Sequence, residues 1–304
     1  MTCTIMVKKM TNMYKYYSNS GTESFDVIFK SDFFKNGDEV IVPVSLCECV
    51  INSIIKNSLV PVFVDIDKNF LIKKEDIKKK ITNKTRAIIF VEQYGFDINN
   101  VCTYKNKKNE KIINILDSCQ NIIKNNNSDY DFIVYSFNKN KPISIGKYSL
   151  FYSSKKINFE YKISLKLRFI INFKRLLFLF KYLKRRHIYN FIKKNLLIHG
   201  YFISHSNSSL HRIVFIMKIT KKGFIKLDDK LYEFLDKNNF NCVQTTIEVS
   251  PFERLKIKDE FKQFNDYRYK ALYFRPSFKK SEYLKVIKYL NDIWGDLNEN
   301  WLCT

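Results

Sequence analysis

The chain has 304 residues, 45% of them hydrophobic, and a formal net charge of +23 from 53 Lys and Arg against 30 Asp and Glu. That apolar content excludes a disordered chain, and the length allows one large domain plus a small one. The charge by itself suggests an anionic partner, but the basic residues are spread along a chain that is rich in Lys, Asn and Ile throughout, so the excess reads as compositional drift and no nucleic-acid partner is expected.

Seven cysteines (Cys3, Cys47, Cys49, Cys102, Cys119, Cys242 and Cys303) make an odd set with no C-x-x-C pair and no histidines at ligand spacing. A disulfide framework and a zinc site are both excluded on that pattern, and free thiols fit a reducing compartment. The first residues, MTCTIMVKKMTNMYKYY, contain no apolar core of a secretory signal. No run of about 18 uncharged apolar residues is present to span a membrane. A cytoplasmic protein is expected.

In chain order, residues 21–35 (GTESFDVIFKSDFFK) read as a helix that starts after the SNSG turn. GDEVIVPV (37–44) is a turn and a strand, CECVINSIIKNS (47–58) a helix, PVFVDID (61–67) a strand, and KEDIKKKIT (74–82) a short polar helix. RAIIFVEQYG (86–95) is a strand ending at Tyr94–Gly95, and IINILD (112–117) and DFIVYSF (131–137) are two more. Short β-branched runs alternating with helices predict a large, doubly wound, mainly parallel α/β sheet with right-handed crossovers.

The second half changes character. YSLFYSS (148–154) is a strand, 163–198 a long apolar and basic helix, and HRIVFIMKIT (211–220) a strand. LDDKLYEFLDKNN (227–239) is an amphipathic helix, NCVQTTIEV (241–249) a strand, and SEYLKVIKYLNDIW (281–294) a terminal helix. The expected division is therefore a large domain over 1–155 and a connecting helical region plus a small α+β domain over 156–304. Within RFIINFKRLLFLFKYLKRRH (168–187), Phe169, Phe173, Leu176, Leu177, Phe180 and Leu183 share one helical face, and Lys174, Arg175, Lys181, Arg185 and Arg186 lie on the other side. That layout suits a peripheral helix on an anionic leaflet, or a helix packed on the large domain. His187, His199, His205 and His211 have no metal spacing and read as surface or core residues.

The segment 116–146 concentrates polar chemistry at strand ends: Asp117 closes one apolar run, Gln120 follows it, and Ser136 and Lys141 follow the next. Open α/β sheets bind ligands there. The spacings DSCQ and SFNKNK, with SNSGTES upstream, resemble the DegT/DnrJ/EryC1/StrS family of pyridoxal-phosphate-dependent sugar aminotransferases, from about Ser18 to about Trp294 and most closely from Gly21 to Lys141. The resemblance implies the aspartate-aminotransferase-like fold (fold type I of pyridoxal phosphate enzymes) and a homodimer. It also implies transfer of an amino group, typically from glutamate, to a nucleotide-linked keto sugar in the making of surface polysaccharide or another glycan.

The resemblance also implies roles. Lys141 matches the lysine that bonds the cofactor aldehyde, five residues after Ser136, which matches the phosphate-binding serine. Asp117 matches the acid facing the pyridine nitrogen, Gln120 the contact to the oxygen edge of the ring, and Gly21–Thr22 the phosphate-binding turn at a helix start. Cys47 stands where the family usually stacks an aromatic ring, five residues before Asn52. Asn52 and Tyr94 fall on positions that line the site. The glycine-rich run after the lysine is reduced to Ile145–Ser149, and the loop that reaches across the dimer is not recognisable; Gly200–Tyr201 is a faint echo. These departures leave a rival reading, a relative that keeps the fold as a binding or scaffold protein in the same pathway.

Overall fold

The computed structural model describes residues 13–98, 101–121, 129–203, 210–245, 261–275 and 279–296. Strands β1 (Tyr14–Ser18), β2 (Glu39–Pro43), β3 (Val60–Val64), β4 (Thr85–Val91), β5 (Ile113–Asp117), β6 (Phe132–Ser136) and β7 (Ser149–Ser153) form one sheet in the order β1-β7-β6-β5-β4-β2-β3. β2 through β6 run parallel, while β7 is antiparallel to both β6 and β1. β4, β5 and β6 are buried almost throughout, as continuous apolar strands covered on both faces must be.

The pleat divides that burial. Val40, Val42, Ala87, Ile89, Ile115 and Val134 point to one face, under α1 (Gly21–Phe29) and α2 (Glu48–Lys56). Ile41, Ile88, Phe90, Leu116 and Ile133 point to the other, under Ile77 of α3 (Lys74–Lys80) and Ile171 and Phe178 of α4 (Leu165–Asn195). α1 ends at Phe29, short of the expected residue 35. Phe34, in the turn that follows, packs edge-on against Phe29 instead, with the rings 5.5 Å apart.

The second sheet is antiparallel, β10-β11-β9-β8, built from β8 (Gly200–Ile203), β9 (Ile213–Met217), β10 (Val243–Gln244) and β11 (Ala271–Phe274). Around it lie α5 (Lys221–Lys237), α6 (Lys262–Arg268) and α7 (Lys280–Gly295). Ile203, Val214, Ile216, Ala271 and Tyr273 join the core of the large sheet. Ile213, Phe215, Met217, Leu272 and Phe274 face a separate core under Ile188, Ile192, Leu227, Leu231, Val286 and Leu290.

The sequence reading missed β1, β8, α6 and β11. Each is short, and β1, with the burial pattern exposed–exposed–half–buried–buried, has no strong period to detect. α5 begins six residues before the expected start, because the Thr220 side chain accepts from the Gly223 N–H and caps a turn that Lys221–Gly223 would not nucleate alone. Residues 246–249 of the last expected strand lie outside the described residues.

Asp65, just past β3, ties the two sheets together. Its carboxylate accepts from Gln263 N (2.8 Å) and Phe264 N (3.1 Å), so a buried acid next to the seven-stranded sheet caps the helix α6 beside the four-stranded one. Asp65→Ala removes the acceptor of the Ile66, Gln263 and Phe264 N–H groups and is expected to lower unfolding free energy by about 2 kcal/mol. Urea denaturation of the two proteins measures this.

Candidate active site at the carboxyl ends of β5 and β6

α1 is delivered to the sheet by hydroxyls. Ser20 caps it by accepting from Glu23 N (3.1 Å), and the Glu23 carboxylate accepts from Asn19 N (2.5 Å). A buried chain runs from Ser18 Oγ to Ser24 Oγ (2.8 Å) and on to Ser149 Oγ (2.9 Å), which donates to the Tyr135 carbonyl (2.5 Å). These small side chains let the helix lie close against β1, β6 and β7. The helix start consequently presses on the end of β6. A methyl group on Gly21 would sit 3.3 Å from Ser136 Cβ and 3.5 Å from both Ser136 Oγ and Cys119 Sγ.

Asp117 ends β5, buried, with one carboxylate oxygen accepting from the Cys119 N–H at 3.0 Å. Ser136 ends β6, also buried. Lys141 follows in the loop to β7, its N–H donating to the Asn138 carbonyl at 3.0 Å. The amine lies in the field of Cys119, Asp117, Cys47 and Cys49. Burial pulls its pKa down, but those four groups together outweigh burial and leave it raised. The structure therefore gathers Lys141, Asp117, Ser136, Gly21 and Cys47 in one region.

Thr22 and Cys47 meet through Cys49. Cys47 is the N-cap of α2, and its Sγ is 3.3 Å from that of Cys49, to which Thr22 also hydrogen-bonds. The contact with Cys49, and then burial, push the Cys47 pKa up. Gln120 gives both ends of its amide to the turn after β4: Oε1 accepts from Tyr94 N (2.9 Å) and Nε2 donates to Gln93 Oε1 (3.4 Å). This holds Tyr94 at φ 57°, so the chain leaves the expected strand at Val91 and turns into the site. The Tyr94 carbonyl then accepts from Arg212 N (3.2 Å), and its ring lies 5.0 Å from that of Tyr273 in β11. Asn52 is exposed on α2.

One group was not anticipated. His211 is buried, and its Nδ1 has no hydrogen-bond partner among the described residues; the same holds for Arg275 Nε. Burial, then the charges of Arg212, Arg185, Lys141 and Arg275, push the His211 pKa well down. Arg185 is brought to about 10 by burial and by Arg212. Cations from α4, β11 and the approach to β9 thus converge beside Lys141, a set no local sequence signal marks because its members are far apart in the chain.

A neutral buried His binds its proton only after unfolding. The unfolded chain takes up that proton below the ordinary value of about 6.5, so the His211 contribution to stability is present above that pH and is lost as pH falls, by up to about 1.4 kcal/mol per pH unit. Asp97 acts in the opposite sense. Burial raises it to about 7, so the folded form holds a proton that the unfolded form releases. The difference between wild type and His211→Gln isolates the first effect: the variant is expected to lose less stability between pH 6.5 and 5 in parallel urea titrations.

Residues 10–151 match the sequence profile of the DegT/DnrJ/EryC1/StrS aminotransferase family. The chain is 30% identical over 135 residues to the GDP-perosamine synthase of Escherichia coli O157:H7, covering 42% of this chain and 37% of that protein. It is 30% identical over 142 residues to the 3-oxo-glucose-6-phosphate:glutamate aminotransferase of Bacillus subtilis strain 168, covering 44% and 32%. The chain thus spans about a third of the length of these curated relatives. Among solved structures, it resembles PseC of Helicobacter pylori, an aminotransferase of pseudoaminic acid biosynthesis (TM-score 0.74, 16% identity, 93% of this chain and 87% of that one). It also resembles the Bacillus subtilis ntda structure with its bound cofactor (TM-score 0.72, 18% identity, 93% and 73%). The large parallel sheet and smaller second sheet are the fold of those aminotransferases, and residues 10–151, which hold six strands of the large sheet and part of the seventh, are the part of the chain that is similar to the DegT/DnrJ/EryC1/StrS aminotransferase family.

Proposed function

We propose that the chain is a pyridoxal-phosphate-dependent aminotransferase that moves an amino group, with glutamate as donor, to a nucleotide-linked keto sugar in glycan biosynthesis. The observation that carries the reading is the position of Lys141, an amine facing the buried carboxylate of Asp117 near the α1 start. The donor set fits the cofactor: an amine for its aldehyde, a carboxylate for its ring nitrogen, and Ser136 with the Gly21–Thr22 helix start for its phosphate. The close approach of Gly21 to Ser136 forms a cradle that a side chain at 21 would fill.

Pyridoxal phosphate supplies the electron sink that makes a proton on the carbon bearing the amine removable. Lys141 would hold the cofactor through its amine, and the same amine is the group placed to move that proton. The buried carboxylate of Asp117 would hold the cofactor at its ring nitrogen and favour the protonated form there by a charge-assisted bond. Gln120 acts through the Gln93–Gly95 turn, whose Tyr94 shapes the wall towards β11. Arg185, Arg212 and Arg275, gathered around the neutral His211, offer positive charge for the carboxylate or diphosphate of a substrate.

Several finer readings belong to the same proposal. We read the domain division at about residue 155, between β7 and α4. A cytoplasmic homodimer follows from the family resemblance, and sedimentation velocity tests the dimer. No described helix is long and apolar enough to cross a membrane. The apolar face of α4 instead lies on the outside: Leu165, Phe169, Phe173, Leu176, Phe180 and Leu183 are exposed, Phe169 at 70%. The packed face is the opposite one, with Ile171 and Phe178, and Lys174 donates to the Ser144 carbonyl at 2.7 Å. Exposed Lys166 and Lys184 border the outer stripe on one side, Arg168 and Arg186 on the other. We read this face as resting on an anionic leaflet. At low salt the protein is expected to co-sediment with phosphatidylglycerol vesicles and not with phosphatidylcholine vesicles; a supernatant protein in both, or a stripe buried in a dimer, removes the reading.

The rival reading, a non-catalytic relative, draws support from Cys47 at the ring-stacking position, where an aromatic contributes about 0.5–1.5 kcal/mol beyond area burial. One measurement separates them. Purified protein with added pyridoxal phosphate is expected to turn yellow, and borohydride to fix the cofactor on the peptide holding Lys141. A protein that stays colourless and unlabelled rules out the aminotransferase.

A further inference from the structure

We propose that Cys47 and Cys49 form a reversible dithiol–disulfide pair that exchanges with low-molecular-weight disulfides at the edge of the Lys141 site. The proposal does not depend on the aminotransferase reading, because it uses only thiols that the chain itself presents. The two sulfurs are 3.3 Å apart, and both residues are exposed. They sit at the start of α2, with Cys47 as its N-cap, where the helix leaves N–H groups and a partial positive charge unsatisfied. Lys141 adds a full positive charge, and Thr22 a hydrogen bond to Cys49.

These surroundings divide the labour. The hydrogen bond from Cys47, then that from Thr22, and the charge of Lys141 outweigh burial and Asp117 to bring the Cys49 thiol to about 7. Cys49 is the attacking sulfur and Cys47 the resolving one. Other roles for the pair fail. Among the described residues no group of three His, Cys, Asp or Glu side chains is arranged to hold a metal ion. Cys119, the nearest further thiol, is buried, its Sγ 3.8 Å from the Val134 carbonyl and its pKa raised well up, chiefly by burial.

The exchange balances in two steps. Cys49 thiolate attacks one sulfur of a disulfide R–S–S–R and forms Cys49–S–S–R, expelling R–S⁻. Cys47 then loses its proton to solvent and attacks the Cys49 sulfur, forming the Cys47–Cys49 bond and expelling the second R–S⁻. The protein gives up two electrons and two protons, and the disulfide is reduced to two thiols. The sulfurs need to close from 3.3 Å to about 2 Å. One intervening residue makes a small, strained ring, which is the property of an easily reduced disulfide. Closing it removes the Cys49 thiolate charge that helps raise Lys141, so the pair in its oxidised form leaves that amine easier to deprotonate.

The test uses the full chain and oxidised glutathione. In the wild type, the peptide with residues 47–49 is expected to lose two hydrogens and recover them with dithiothreitol. Cys47→Ser is expected to stop at a glutathione adduct on Cys49. Alkylation of Cys49 by iodoacetamide is expected to inflect near pH 7 and, at pH 6, to exceed that of exposed Cys102 by roughly fivefold. The thiolate gain of a thiol with pKa near 7 is partly offset by its lower nucleophilicity. A wild-type adduct that persists on Cys49 beside a free Cys47, or a Cys49 no faster than Cys102, overturns the proposal.

Discussion

Lys141→Arg is expected to lose the yellow colour and the borohydride-fixed label, and to lower turnover by at least about 10³-fold, within the range set by removing a nucleophile that also serves as the acid–base group. Arginine is the severe test because it keeps the positive charge that Cys119, Asp117, Cys47 and Cys49 surround. What it lacks is a lone pair at working pH. The backbone bond of residue 141 to the Asn138 carbonyl survives the change, so the melting temperature should stay close to that of the wild type. Lys139 and Lys147 lie close in sequence and are exposed. Label found on either of them in the wild type would show that the amine is misassigned, and turnover that survives in the variant would show that no covalent step passes through position 141.

Asp117→Asn carries the second largest effect. The substituted amide oxygen can still accept from Cys119 N, now 3.0 Å from the carboxylate, so the turn after β5 persists. What disappears is a buried negative charge. Turnover should fall by about 10²–10³-fold, comparable to removing one preorganised electrostatic partner. The same change has a readout free of the cofactor. Asp117 is the second of the acids that raise Lys141, after Cys119. Without it, the pH at which the Lys141 amine becomes reactive to trinitrobenzenesulfonate moves down. A profile that does not move, with turnover within threefold of wild type, would place Asp117 away from the amine and end the shared-site argument.

The two variants also bear on the thiol pair. Cys49 is held low partly by Lys141, which arginine preserves, and raised by Asp117, which asparagine removes. Cys49 alkylation should therefore respond to Asp117→Asn more than to Lys141→Arg, because only the former changes the local charge. This separates the electrostatic account of the cluster from one in which each residue acts alone.

Much of the large domain was legible in the sequence because its strands are uninterrupted apolar runs between polar stops. IINILD and DFIVYSF announce buried parallel strands, and their last polar residues, Asp117 and Ser136, mark the edge where ligands bind. Lys141 was singled out through the family resemblance, because spacing by itself does not separate it from its neighbours Lys139 and Lys147. The α4 stripe was legible as a face, but periodicity reports only that apolar residues align. The direction they point, outward, follows from Ile171 and Phe178 on the opposite face being buried against the large sheet.

Other features depended on contacts across long stretches of chain. Asp65 caps a helix almost two hundred positions away, and His211 gathers arginines from three separate elements. The resemblance implies that Gln120 contacts the oxygen edge of the cofactor ring, and only the folded chain shows it holding the turn at Tyr94. Local sequence determined the strands, the helix starts and the order of the polar residues at their ends, because backbone geometry and side-chain period act over a few residues. Tertiary structure alone decided which charges meet, since the field at Lys141, Cys49 or His211 depends on distances between segments that no short-range pattern encodes.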